Sequence, residues 1–266
     1  MIQEQDHGHN HGLSEEETNG PVGIELVDIT EEPSGITKIT AEIPRYFSNL
    51  EMQSMDLAAR FAGKLGLSEE EYIRTLPKFG QKPRTKNFNG ELVIPAVPVL
   101  VDPRVEWDDL LTSITALDKD KKPRAVKPRV QDHRVINAMF DLKELEDWKE
   151  GGRRTSSEPY ATWLKVLPDT SAEEIRANLG RNERVATVRD TIALYHQQPQ
   201  ILNRFYLIIP GSQIGPDFVA VLSALRNAES SSSTRESIPN HPSLYKIPAG
   251  SKSPRYACVV ASSIRI

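Results

Sequence analysis

The sequence predicts an α+β fold, with a mixed or mainly antiparallel sheet and several short helices. Segments in which apolar and polar residues alternate, as in residues 160–167, are typical of half-buried strands. Segments with helical spacing lie between them, and glycine or proline follows where the spacing stops. Three helix starts have a capping-box pair: Ser68 with Glu71, Ser171 with Glu174, and Thr187 with Asp190.

The first half of the chain predicts elements of both types. In order, they are a hairpin from residues 23–30 and 36–43, a helix over 48–65, a short helix over 68–76, an edge or bulged strand over 92–101 and a helix over 107–117. Gly66 and Pro77 end the two adjacent helices, because glycine suits a helix C-terminus and proline interrupts helical hydrogen bonding. Pro95 and Pro98 suit an edge strand or a bulged strand, since proline cannot donate to a ladder.

The second half predicts a similar alternation. Its elements are a loop over residues 118–134, a strand then a helix over 136–148, a strand over 160–167, helices that begin at Ser171 and Thr187, a buried strand over 205–209, a turn over 210–215 and a strand over 256–266. Residues 218–225 fit either a strand or a helix. Four consecutive serines mark residues 228–235 as a flexible loop.

Two boundaries divide the chain. Residues 1–20 have no apolar periodicity, which predicts a disordered tail. A run of glycine, serine and charged residues at 151–158 predicts a junction between two lobes, residues 21–150 and 159–266.

The charge is unevenly distributed. Residues 1–34 contain nine acidic side chains and no lysine or arginine, and the whole chain has a net charge of −4. Because the first segment carries −9, the other 232 residues carry +5. An acidic arm on a mildly basic body either solubilises the protein or contacts basic surfaces.

The cellular compartment is predicted from targeting and membrane-spanning patterns, which this sequence does not show. Its start has neither the basic residues nor the apolar core of a secretory signal, and its apolar runs are of strand length. The only cysteine, Cys258, excludes an internal disulfide and is expected to be a small buried hydrophobic residue. These features predict a cytoplasmic protein with no membrane partner.

Several segments resemble one known family. Residues 67–76, which follow a helix ending in glycine, resemble the N-terminal part of a bacterial family known only as a domain of unknown function. Residues 187–194, 199–202 and 210–215 resemble its C-terminal part in the same order. The resemblance covers roughly residues 48–266 and departs from the family in its longer serine loop. It implies a domain extent and a bacterial origin, and it assigns no catalytic residue.

A histidine cluster in the tail predicts metal binding. His7, His9 and His11 alternate with small polar residues, and Asp6 precedes them. Imidazole nitrogens are ligands that zinc, nickel and copper accept. A site on a flexible chain must order itself on binding, so weak, pH-dependent affinity is expected. A polar tail can also hold histidines without any function, and no cofactor is otherwise expected.

A second cluster is basic. The tripeptide Lys-Pro-Arg occurs at residues 82–84, 122–124 and 127–129. Six cations lie within or next to the last two copies: Lys121, Lys122, Arg124, Lys127, Arg129 and Arg134. Such a segment can contact a polyanion such as nucleic acid, although no aromatic residues interleave for stacking. A solvated loop and a docking site for an acidic protein surface are the alternatives.

The third candidate is the predicted turn after the strand at 205–209. Gly211, Ser212 and Gly215 could bind a ligand, because backbone N–H groups of such a turn can contact an anion. Ser212 and His196 are the candidate catalytic pair, although the Gly-x-Ser-x-Gly elbow is absent. A tight turn that needs glycine for structural reasons is the alternative.

These observations leave three functions open. A non-catalytic interaction or assembly component, or one that self-associates, comes first because the sequence shows no complete catalytic set. A small-ligand-binding protein or enzyme with a site near residues 210–215 is the second, and it requires Ser212 and His196 to come within hydrogen-bond distance. Metal handling through the tail histidines is the third.

Overall fold

The computed structural model describes residues 50–77, 96–128, 134–148, 156–224 and 242–262. All of these belong to one structural unit, residues 36–266. Several predictions concern residues outside the described ranges: the tail with its histidines, the first hairpin, the first Lys-Pro-Arg copy and the serine loop.

Within the described residues, five α-helices alternate with strands. They are α1 (Leu50–Phe61), α2 (Glu69–Thr75), α3 (Trp107–Thr112), α4 (Ala172–Ala177) and α5 (Val188–Gln197). Short 3₁₀ turns lie at Gly63–Leu65, Leu142–Glu144 and Pro199–Asn203. Reciprocal capping boxes open α2, α4 and α5, which confirms the three predicted helix starts. Gly66 ends the first helical segment in the left-handed conformation, with φ of 71°, also as predicted.

The described strands form two sheets. The strands are β1 (Val97–Val101), β2 (Ile114–Leu117), β3 (Pro123–Val126), β4 (Asn137–Ala138), β5 (Leu145–Asp147), β6 (Tyr160–Pro168), β7 (Glu183–Val185), β8 (Tyr206–Ile214), β9 (Phe218–Ala224), β10 (Pro242–Pro248) and β11 (Tyr256–Ser262). Nine of them form one sheet in the order β1-β6-β11-β8-β9-β10-β4, with β5 beside β8 and β7 beside β11. Only the pairs β8–β11 and β4–β10 are parallel. The predicted α+β class with a mainly antiparallel sheet is confirmed.

The central strands are buried on both faces. On β11, Val259 belongs to the apolar cluster that includes α5, whereas Cys258 and Val260 belong to the cluster that includes α4. On β8, Leu207 and Ile208 alternate in the same way. Because successive side chains of a strand point to opposite faces, α5 covers one face of the sheet and α4 the other. This two-sided burial explains why these strands are continuous apolar runs.

Strand β1 is an edge strand, in agreement with the prediction from Pro98. Among the described strands it pairs only with β6. The Gln53 side chain of α1 covers its other side: the amide donates to Pro98 O (2.9 Å) and accepts from Leu100 N (3.0 Å). These bonds occupy ladder groups that an additional strand would otherwise use, and they join α1 to the sheet.

The prediction for residues 107–134 is partly wrong. Helix α3 ends at Thr112, and residues 114–117 form β2 instead of continuing the helix. Strand β2 pairs antiparallel with β3, which lies inside the predicted loop. Ile114 and Thr115 are β-branched and favour a strand, but the deciding contact is with β3, which local spacing does not reveal. In the same way, the helix predicted toward residue 148 is a 3₁₀ turn followed by β5.

The turn predicted over residues 210–215 is also wrong. Strand β8 continues to Ile214, and its pairing with β9 has a β-bulge between Ile209 and Gln213. Proline is tolerated at a bulge, where no ladder donor is needed, so Pro210 does not end the strand. The chain reverses later, in a turn that begins at Gly215 with φ of 66°.

The predicted junction at residues 151–158 lies mostly outside the described residues. Strands from both sides of it pair in the same sheet: Val97–Val101 pairs with Tyr160–Leu164 across the whole length of β1. The two predicted lobes thus contribute to one hydrogen-bonded sheet.

Candidate functional site

The structure does not bring Ser212 and His196 together. Ser212 is buried in β8, and its Oγ accepts a hydrogen bond from the backbone N–H of Val188, the first residue of α5 (3.0 Å). His196 lies eight residues further along the same helix, which corresponds to about 12 Å. A nucleophile and its base need a separation of about 2.6–3.2 Å. The predicted catalytic pair therefore has no geometric support.

The backbone groups around Ser212 are also occupied. The Gly211 N–H donates to Ala186 O (2.9 Å), and Gly211 O accepts from Trp148 N (3.1 Å). Gly215 lies in the turn at the far end of β8. The three predicted ligand-binding residues therefore do not form one anion site. Gly211 and Ser212 instead join β8 to the segment that opens α5.

Asp190 has a larger role than the sequence suggests. This fully buried carboxylate accepts two hydrogen bonds from Arg184 (2.6 and 2.8 Å), two from Thr187 (2.8 and 3.0 Å) and one from the Tyr160 hydroxyl (3.0 Å). Burial alone would raise the pKa of Asp190, but the charge and hydrogen bonds of Arg184 hold it below its usual range. Because all its donors belong to the protein interior, this cluster stabilises the junction of β6, β7 and α5.

A small cavity lies between α1, β1 and α5. Its volume is about 20 Å³, somewhat more than the roughly 10–15 Å³ that one water molecule requires. Polar side chains of α1 and α5, together with Asp102 directly after β1, line it: Gln53, Asp56, Arg60, Asp102, Arg189, His196 and Gln197. Leucine, valine, phenylalanine and alanine side chains complete the lining.

A hydrogen-bonded chain crosses one wall of this cavity. Arg60 forms a buried salt bridge with Asp56, which also accepts from the Thr115 hydroxyl of β2. The guanidinium contacts His196 Nε2 at 3.4 Å. Since arginine only donates, Nε2 is the acceptor and the imidazole proton is assigned to Nδ1. Burial, together with the charges of Arg60 and Arg134, lowers the pKa of His196 well below its usual range, so the imidazole is neutral at pH 7.

The β2–β3 hairpin carries most of the predicted basic residues. Five exposed cations lie on it and directly after it: Lys119, Lys121, Lys122, Arg124 and Lys127. We call this set the basic hairpin. Over the part of the chain that the structure describes, none of the five forms an ion pair with an acidic side chain.

The other two predicted basic residues are placed differently. Arg129 lies outside the described residues. Arg134 is half-buried, and its guanidinium donates to the backbone oxygen of Thr115 on β2. Arg134 therefore holds the hairpin to the body of the protein, whereas the five cations of the basic hairpin face solvent.

The predicted metal ligands His7, His9 and His11 lie outside the described residues. Among residues 50–77, 96–128, 134–148, 156–224 and 242–262, no group of three histidine, cysteine, aspartate or glutamate side chains could hold a metal ion. Metal handling through the tail stays a prediction.

Cys258 should be inert in the folded protein. The side chain is fully buried on β11, its Sγ donates to Thr170 O (3.3 Å), and burial raises the pKa of the thiol to about 12. A thiol reagent at pH 8 is expected to label one group per chain in denaturant and almost none under native conditions. Rapid labelling of the native protein would contradict this placement.

Comparisons of the chain with protein-family models, curated proteins and solved structures gave no significant match. The resemblance to the domain of unknown function therefore stays a prediction. No helix in the described residues is long and apolar enough to cross a membrane.

Sequence reasoning missed the cavity, although a local signal for it exists. Asp56 and Arg60 are four residues apart within an apolar helix stripe, and Arg189 and His196 flank the apolar residues of α5. Oppositely charged residues at this spacing meet on one helix face. A charged pair on the face that must be buried is a signal for a polar site between helices.

Proposed function

We propose that this chain is a non-catalytic interaction protein that docks an acidic protein surface on the basic hairpin. The observation that carries the proposal is the group of five exposed cations on a two-stranded sheet separate from the main one. Nothing in the geometry of Ser212 and His196 favours catalysis instead.

The turn of the hairpin concentrates its positive charge. Asp118 is turned into the loop, where its carboxylate accepts from the N–H groups of Asp120 (3.0 Å) and Lys122 (2.7 Å). These two bonds stabilise the loop, in which Lys121 has a φ of 58°. Residues 118–127 contain five cations and two acidic residues, so the surface keeps a net charge of +3. A positively charged loop attracts an acidic surface, and hydrogen bonds that stabilise the loop reduce the entropy lost on binding.

The neighbouring residues favour a protein over a nucleic acid. Leu117, at the end of β2, is 47% exposed and lies directly beside the cations. An apolar side chain among cations can contact both the apolar and the acidic groups of a protein surface. The hairpin residues 114–126 contain no aromatic residue, and single-stranded nucleic acid is usually bound by stacking on aromatic rings.

Reversing the charge of the hairpin should abolish most of this binding. We expect a Glu-rich peptide with interspersed leucines to bind the full chain at low ionic strength. The triple variant Lys122→Glu, Arg124→Glu, Lys127→Glu should bind the same peptide at least about tenfold more weakly. Each exposed ion pair contributes up to about 1 kcal/mol, and three are lost. Fluorescence anisotropy at two salt concentrations measures the affinity and its screening.

A matched variant separates position from net charge. Lys143, Arg204 and Lys246 are exposed and lie outside the hairpin, so their triple change to glutamate alters the net charge equally. This control should bind the peptide nearly as well as the native chain. Equal loss in both variants would show that only net charge matters and would refute the docking site. Tighter binding of a single-stranded DNA of matched charge would replace the protein partner with a nucleic acid.

A further inference from the structure

The chain carries a second charged surface, of opposite sign to the basic hairpin. Residues 139–147, which we call the 139–147 segment, run from the end of β4 through β5 and contain four acidic side chains and one lysine. Their net charge is therefore −3, whereas residues 118–127 of the hairpin carry +3. The acidic side chains are all exposed: Asp141, Glu144, Glu146 and Asp147.

Each of the two surfaces also includes an exposed apolar side chain. Met139 is 59% exposed and Leu117 is 47% exposed, the two highest values among the large apolar residues that the structure describes. The partner proposed for the basic hairpin needs acidic and apolar groups side by side, and the 139–147 segment has both. A contact that covered Met139 and Leu117 together would remove apolar surface of both from water.

The 139–147 segment is fixed to the main sheet at both ends. The Met139 N–H donates to Leu244 O of β10 (2.8 Å), and β5 pairs antiparallel with β8. Leu142 and Leu145 pack against the main apolar core, while the acidic side chains between and beside them are exposed. A surface that is ordered before it binds loses less entropy in the complex.

The two surfaces do not neutralise each other within one chain. Across the described part of the protein, no ion pair joins a cation of the basic hairpin to an acidic residue of the 139–147 segment. The hairpin is attached elsewhere, through the Thr115 hydroxyl to Asp56 of α1 and through Arg134 to the Thr115 backbone oxygen. Opposite charges that are exposed on separately attached elements can pair between two molecules.

We propose that the basic hairpin docks on the 139–147 segment of a second copy of this chain. This inference rests on the proposed function and names the acidic partner. Lysine and arginine side chains of one copy pair with carboxylates of the other, and Leu117 contacts Met139. Because each copy carries both surfaces, a two-fold dimer forms this contact twice. The contact weakens as salt is added, because ions screen exposed charge pairs.

Sedimentation equilibrium of the full chain at low ionic strength tests the contact. We expect reversible association that is lost at high salt. The hairpin variant Lys122→Glu, Arg124→Glu, Lys127→Glu and the segment variant Glu144→Lys, Glu146→Lys should each associate at least about tenfold more weakly than the native chain. Reversing both surfaces in one chain should restore association, because opposite charges then face each other again.

A matched variant separates the position of the charges from their number. Glu69→Lys, Glu173→Lys changes the net charge as much as the segment variant does, at exposed positions on α2 and α4, and should associate like the native chain. A native chain that stays monomeric would overturn the proposal, and so would equal losses in the segment and matched variants. Circular dichroism checks the fold of each variant. If the doubly reversed chain unfolds, the comparison of the segment and matched variants decides.

The peptide experiment separates this inference from the proposed function. The segment variant keeps the basic hairpin, so it should bind the Glu-rich peptide at least as tightly as the native chain does. A native chain that binds the peptide and stays monomeric would refute the second copy as partner and leave the docking site in place. A native chain that neither binds the peptide nor associates would refute both.

Discussion

Replacing Asp190 with asparagine should destabilise the protein by about 3–5 kcal/mol, because removing one partner of a buried ion pair leaves the other charge unpaired. Arg184 is 5% exposed and contacts the Asp190 carboxylate through two N–H groups. An asparagine of the same size offers one oxygen and no charge. A loss of this size is a large part of the stability of a typical domain, and urea unfolding monitored by circular dichroism measures it.

The matched control is Glu174→Gln. Glu174 occupies the same position of a capping box, N3, and its side chain accepts from Ser171 N at 2.9 Å. Unlike Asp190, Glu174 is exposed, and its ion pair within the described residues is with the exposed Lys252. Its substitution should cost far less than that of Asp190. Similar losses for the two variants would show that the capping role, and not the buried charge pair, determines the contribution of Asp190.

The same carboxylate predicts how stability depends on pH. The pKa of Asp190 is lower in the folded protein than its usual value near 3.9. The unfolded chain therefore takes up a proton at a pH where the folded chain does not, so the contribution of Asp190 is complete above that value and is lost as the pH falls toward the folded pKa. Native and Asp190→Asn proteins should thus differ most at neutral pH and converge in acid.

Local signals predicted the helix boundaries well. A capping box needs only a side chain and an N–H group three residues apart, so Ser68, Ser171 and Thr187 could be assigned from the sequence alone. Gly66 ends its helix for an equally local reason, since only glycine adopts positive φ without cost. Pro98 of β1 likewise indicated an edge or bulged strand without knowledge of its neighbour.

Non-local contacts explain the errors. Strand β2 exists because β3 pairs with it, and the spacing of residues 107–117 contains no sign of that partner. Residues 210–214 contain proline, glycine and serine, which favour a turn in isolation. The extended pairing of β8 with β5 and β9 overrides that preference.

The candidate sites differ in how far the sequence could reveal them. The sequence predicted the basic hairpin as a run of cations, because exposed charged residues that are close in sequence need no distant partner to form a charged surface. Asp190 and Arg189 are adjacent in sequence, yet Asp190 pairs with Arg184, whereas Arg189 donates to the backbone oxygen of Val105 and stacks on Trp107. The rotation of α5 about its axis, relative to the sheet, determines that Asp190 faces β7 and Arg189 faces the cavity. The sequence alone does not show which of these two adjacent residues contacts β7.

Gly211→Ala should be about as damaging as a severe core substitution, at roughly 3 kcal/mol. A Cβ at this position would lie 2.5 Å from Ala186 O, 2.9 Å from Ala186 C and 3.1 Å from Val185 Cγ2. The first two contacts are with backbone, which cannot rotate away as a side chain can. Relief of the clash would lengthen the bond from Gly211 N to Ala186 O, which is 2.9 Å long, and would shift the segment that leads into α5.

A neutral control is available in the same chain. Gly63 lies in a 3₁₀ turn, and a Cβ there would meet no atom within 4 Å. Gly63→Ala should therefore leave the unfolding free energy unchanged or raise it by up to about 1 kcal/mol, since alanine reduces the entropy of the unfolded chain. Urea unfolding of both variants compares them directly. If Gly211→Ala were as stable as Gly63→Ala, β8 could not approach Ala186 this closely, and the hydrogen bonds that hold Ser212 at the start of α5 would have to be reassigned.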